Sequence, residues 1–159
     1  MPEITLLGWI HTAFGAIAII CGAYALIKHK VFEPSDRSSQ LYLLATLITA
    51  LTALGIYQRG EFGPGHALAI MTLLAVAVGF IAAKTTLFGR LSRYLQAASF
   101  TATLLFHSIP AITDGLLRLP VGDPVLSSID DPVLKMAYGV MLLLYLIGLA
   151  LQVRWLSRR

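Results

Sequence analysis

Apolar residues in this chain come in long runs separated by short polar connections. Five runs approach the roughly 20 residues that an α-helix needs to cross a bilayer. They cover residues 4–27, 41–57, 66–83, 95–117 and 132–153, the second being the shortest. The connections carry turn and cap chemistry. Residues 58–65 read Gln-Arg-Gly-Glu-Phe-Gly-Pro-Gly, a turn by its glycine and proline content. Asp131-Pro132 reads as an N-cap followed by a first-turn proline. The pattern predicts an all-α fold: one integral membrane domain over residues 1–159, built as a bundle of five transmembrane helices.

The fourth run is not uniformly apolar. Advancing each residue by roughly 100° about a helix axis puts Ser99, Thr103, His107, Pro110, Asp114 and Arg118 within a sector of about 100°. Leu104, Leu105, Phe106, Ile109, Ile112 and Leu116 cover the rest. An ionisable group facing hydrocarbon costs on the order of 3 kcal/mol or more, so this stripe is expected to face the bundle interior. The first run has a face of small and polar residues, Gly8, His11, Thr12, Gly15 and Gly22. Small residues let a neighbouring helix or a flat ligand come close to the backbone. Milder stripes lie on the second run (Tyr42, Thr46, Thr49, Ala53, Tyr57) and the fifth (Tyr138, Met141, Tyr145, Gln152), and they read as helix-packing surfaces.

Composition agrees with a membrane location. Of the 159 residues, 57% are hydrophobic and 13% charged, against about a quarter charged in soluble domains. The net charge of +4 is distributed by topology, which argues against a nucleic-acid partner. With the N-terminus outside and five crossings, the inner segments hold Lys28, Lys30, Arg37, Lys84, Arg90, Arg93, Arg154, Arg158 and Arg159, nine of the twelve basic residues. The outer segments hold Arg59, Arg118 and Lys135, and six of the eight acids: Glu3, Glu61, Asp114, Asp123, Asp130 and Asp131. The positive-inside rule then places the C-terminus in the cytoplasm of a bacterial inner membrane. Cys21 is the single cysteine, so no disulfide framework or CxxC motif exists. Met1-Pro-Glu-Ile lacks a basic leader, so no cleaved signal peptide is expected.

Candidate chemistry collects in the outer half. By helical rise, His11 lies about 10 Å and His107 about 15 Å below the outer surface, with Asp114 about 5 Å in. His66 opens the third run. Two imidazoles from two helices at similar depth, beside small residues where a porphyrin can lie flat, are what a bis-histidine haem b needs. His11 and His107 with Gly15 are the candidates. A first-row metal (copper, zinc or iron) needs three or four converging N or O ligands, which His11, His66, His107 and Asp114 could supply. Against these stand structural roles. His11 and His107 can hydrogen-bond across helices, His66 can be a solvated interface residue, and Asp114 can pair with Arg118 one turn on. His29, between Lys28 and Lys30, reads as a solvated surface residue. No phosphate loop, HExxH or GxSxG is present.

These motifs resemble a family of small bacterial polytopic membrane proteins of unknown function. The shared pattern is Gly8-Trp-Ile-His11 in the first run, Leu41-Tyr42 after a basic loop, Gly65-His66-Ala-Leu-Ala-Ile-Met-Thr72, and His107-x-x-Pro110 followed by an acid. Such proteins often carry His-Arg before the second span, where this chain has Asp36-Arg37. The chain is more weakly similar to four-helix b-type cytochromes. The resemblances imply no settled activity. Three functions are therefore expected in order. The first is a histidine site binding haem b or a transition metal for electron transfer or cofactor handling. The second is a proton or small-solute carrier using His107 and Asp114. The third is an accessory subunit of a larger membrane complex or homo-oligomer.

Overall fold

The computed structural model describes residues 4–57 and 61–159. Glu3 and Arg59, which enter the charge count above, lie outside the described residues. The described chain is helical: α1 (Leu6–His29), α2 (Arg37–Ala53), α3 (Pro64–Lys84), α4 (Ser92–Arg118) and α5 (Pro132–Ser157), with a short 3-10 turn at Gly89–Leu91 before α4. Local chemistry explains the starts. Thr5 accepts the Gly8 amide at α1, and Asp36 accepts the Ser39 amide at α2. Pro64 occupies the first turn of α3. Asp131 caps α5 ahead of Pro132, as the dipeptide predicts.

Helices α1 to α4 form a ring in which α1 meets α2 and α4, α3 meets α2 and α4, and α2 also touches α4 across the middle. Helix α5 packs on the outside of α4. Hydrogen bonds fasten it: Thr101 to Gln152 (3.0 Å) near one end and Thr113 with Tyr138 (2.7 Å) near the other.

Four of the five helices, α1, α3, α4 with its leading turn, and α5, are long and apolar enough to span a membrane. Helix α2 is not among them. Its 17 residues rise about 25 Å, short of a hydrocarbon core of about 30 Å. It begins four residues before the apolar run does, because Asp36 caps it, and it ends at Ala53. The reason lies in its surroundings. One face shows Leu41, Leu44 and Leu51 outward, while Ser39, Tyr42, Leu43, Ala45, Thr46, Thr49 and Ala50 are buried. A helix whose polar face is covered by protein does not have to look like a lipid-exposed span.

The whole bundle repeats this inversion. Ile20, Leu74 and Leu144 are exposed, whereas Ser39, Thr46, Thr103 and His107 are buried. Apolar outside and polar inside is the arrangement that lipid selects. The glycine face of α1 is taken up by α2. A Cβ on Gly22 would sit 2.9 Å from the Tyr42 ring, and one on Gly15 would sit 3.6 Å from Thr49 Cγ2. Among the described glycines, the one with least room for a Cβ is Gly79 of α3, which lies against the Phe100 ring of α4.

Candidate functional site

The buried face of α2 repeats hydroxyls at helical spacing: Tyr42, Thr46 and Thr49, continued by half-buried Thr52. Two imidazoles hang on this ladder. His107 of α4 places Nε2 3.0 Å from Thr46 Oγ1. His11 of α1 places Nδ1 3.0 Å from the Thr49 carbonyl oxygen and 3.3 Å from Thr52 Oγ1. A carbonyl only accepts, so Nδ1 of His11 carries a proton and Nε2 is its exchangeable nitrogen. The two imidazoles lie within electrostatic reach of each other.

One turn before Thr46 on the same helix, the Tyr42 hydroxyl bonds to Thr103 Oγ1 and lies 3.2 Å from the Phe100 carbonyl. Thr103 Oγ1 lies 2.7 Å from that same carbonyl. The result is two hydrogen-bonded groups on successive turns of α2: His107 with Thr46, and Tyr42 with Thr103 and the Phe100 oxygen. Each hydroxyl has one proton, and Thr46 can either accept from His107 Nε2 or donate to it, according to the imidazole tautomer.

The other candidates stand apart from this cluster. Among the described residues no three His, Cys, Asp or Glu side chains gather as a metal site. Asp114 shares the sequence stripe of His107, yet its side chain is 55% exposed and pairs with Arg118 at 3.4 Å. His66 is buried between the rings of Tyr57 (4.5 Å) and Phe62 (5.0 Å). Its Nδ1 accepts the Gly63 amide proton at 3.1 Å, satisfying the N-cap backbone at the start of α3. The neutral ring therefore carries its proton on Nε2. A metal on Nε2 would force a proton onto Nδ1, where it would face the Gly63 N–H.

Haem b meets a similar difficulty. His107 Nε2 and His11 Nδ1 are both engaged with α2. Gly15, where a porphyrin would lie, is in van der Waals range of Thr49. His11 Nε2 stays uncommitted, but a porphyrin on the Gly15 face would require α2 to move.

His29 departs from its reading as a solvated residue. Its Nε2 lies 3.1 Å from Asp36 Oδ1, bridging the two ends of the α1–α2 loop. The Ser38 hydroxyl, the Ser39 amide and the His29 charge hold the Asp36 carboxyl down to about 2, the hydroxyl having the largest effect and partial burial opposing it. The folded value lies below the unfolded one of about 4, so ionised Asp36 stabilises the fold above pH 4. That contribution is lost as pH falls from about 4 to about 2. Thermal melts of detergent-solubilised protein should show this loss, and Asp36→Asn should lower the melting temperature at pH 6 while flattening the acid limb. An Asp36→Asn profile that overlays the wild type would contradict the cap.

Sequence periodicity located His11 and His107. It assigned the α2 hydroxyls to packing, although their i, i+4, i+7 spacing was the available signal. Comparison with family models, curated proteins and solved structures gave no match.

Proposed function

We propose that this chain is a multi-pass membrane protein in which His11 and His107 take up protons and pass them along the hydroxyl ladder of α2. The observation that carries this reading is the buried His107–Thr46 hydrogen bond one helical turn along α2 from the buried Tyr42–Thr103 pair. Imidazole changes charge near neutral pH and exchanges protons at two nitrogens. Ionisable residues inside a membrane bundle commonly mark proton pathways. His11 is half-buried near one end of the bundle and gives the cluster an opening there; His107 is buried deeper. The relay uses His11 and His107, with Asp114 paired to Arg118 outside it.

The experiment is proton flux into vesicles containing the purified protein, with a pH-sensitive dye inside and the membrane potential clamped. Wild-type protein should collapse an imposed pH gradient. Flux equal to that of protein-free vesicles would end the relay reading.

The charge distribution supports an orientation with residues 28–37, 84–93 and 154–159, the basic end, in the cytoplasm, and His11 nearer the opposite face. In a bacterial host, a cytoplasm-dependent reporter fused after Arg159 should be active. Activity of a periplasm-dependent reporter at the same position would reverse the assignment.

A further inference from the structure

Loops usually run over a protein's surface and leave their backbone to water. The loop between α1 and α2 does the opposite. Lys30 turns it back with a left-handed backbone (φ 69°), and Val31 and Phe32 then drop into the bundle. Phe32 is 0% exposed. Its ring stacks on Tyr42 with centroids 4.3 Å apart and planes 17° from parallel. Tyr42 belongs to the proposed relay, so an apolar ring sits directly against it at the basic end.

A buried loop leaves its carbonyls without helical partners, and each must be satisfied. Two glutamines from two helices do this. Gln152 of α5 donates to the Lys30 carbonyl (2.9 Å) and Gln96 of α4 to the Phe32 carbonyl (2.8 Å). The Glu33 amide donates to buried Ser39 Oγ at 3.1 Å. Lys30 and Glu33, which flank buried Val31 and Phe32, line a charged vestibule of about 470 Å³ with Lys28, Asp36, Trp155 and Arg159.

We infer that Phe32 is the gate that closes the basic end of the relay, and that Gln96 and Gln152 are the positioning residues that hold it shut. The inference rests on the relay reading for its purpose, and on the loop geometry alone for its existence. An aromatic ring over Tyr42 excludes the water that would carry protons from the vestibule to the hydroxyl chain. With the gate shut, protons reach His11 and His107 from the opposite end only. Passage across the membrane then requires the loop to move.

Accessibility tests the gate independently of flux. In a Cys21→Ser background, Thr46→Cys supplies a thiol on the relay side of Phe32. A membrane-impermeant thiol reagent is added from the basic end. With Phe32 present the thiol should react slowly; Phe32→Ala should speed labelling at least tenfold, and Phe32→Leu should restore protection. Gln96→Leu keeps the ring but frees its carbonyl, and should give an intermediate rise. It also serves if Phe32→Ala does not fold. In the native-threonine background, the variants that label faster should also conduct protons faster. Unchanged labelling in Phe32→Ala, or in Gln96→Leu where only that variant folds, overturns the gate. Faster labelling without flux in any variant keeps Phe32 as the seal and removes the relay.

Discussion

Gly79→Ala is expected to destabilise the bundle by about 2 kcal/mol or more, although alanine is the better helix former. Three ring atoms of Phe100 lie 2.3, 2.5 and 2.9 Å from the position a Cβ would take. The ring has little room to retreat. Phe100 is fully buried and meets Phe80 edge-on at 5.4 Å. Its carbonyl also accepts from the Tyr42 and Thr103 hydroxyls. Relief therefore has to come from separating α3 from α4, and the movement would disturb the end of the hydroxyl chain. Gly15→Ala is the internal contrast. Its Cβ would meet Thr49 Cγ2 at an ordinary 3.6 Å, so the gain in helix propensity, up to about 1 kcal/mol, is kept. Thermal melts of the two variants in the same detergent should fall on opposite sides of wild type or differ clearly. Equal melting temperatures would refute the packing argument.

Tyr42→Phe should abolish proton flux while leaving the protein folded. The substitution removes one oxygen and keeps the ring that stacks on Phe32. Stability should fall by about 1 kcal/mol, the net worth of a buried hydrogen bond, because Thr103 can still donate to the Phe100 carbonyl and Thr46 can still bond His107. The proposed proton path has no such substitute: the phenol is the one hydroxyl that it uses between Thr46 and Thr103. His107→Gln separates chemistry from structure in the other direction. A glutamine amide can still bond Thr46 but cannot exchange a proton between two ring nitrogens as an imidazole does. Both variants should lose at least tenfold of the wild-type rate, since each breaks the single route. Thr12→Val, which removes a hydroxyl bonded to its own helix at the Gly8 carbonyl, should conduct as wild type does. If Tyr42→Phe and Thr12→Val conduct equally, protons do not travel by this chain.

Much of the architecture was legible before any coordinates. Apolar run lengths and the cap at Asp131 are local properties, written in consecutive residues. So is the face of a helix on which a residue falls, which is why His107 and Thr103 point inward as their stripe predicts. The same stripe misjudged Asp114. It lies nearly two turns beyond His107, close to the end of α4, where its side chain reaches the surface and pairs with Arg118. Angular position says nothing about how far a neighbouring helix extends. His66 shows a second limit. Its capping bond is local, but its burial between Tyr57 and Phe62 depends on how the preceding loop folds back.

The sequence by itself determined that this chain forms apolar helices with polar inner faces, because periodicity and bilayer energetics act on each segment separately. Only the tertiary structure decided which polar groups meet. Residues 61 apart along the chain, His107 and Thr46, become hydrogen-bonded because α2 sits centrally against α1, α3 and α4. Tyr42 reaches Thr103 for the same reason. The loop at 30–36 reads as an ordinary basic connection, and the burial of Val31 and Phe32 within it draws Gln96 and Gln152 from two helices to satisfy its carbonyls. Such long-range pairings are chosen by the fit of whole helices to one another, and no short stretch of residues contains that information.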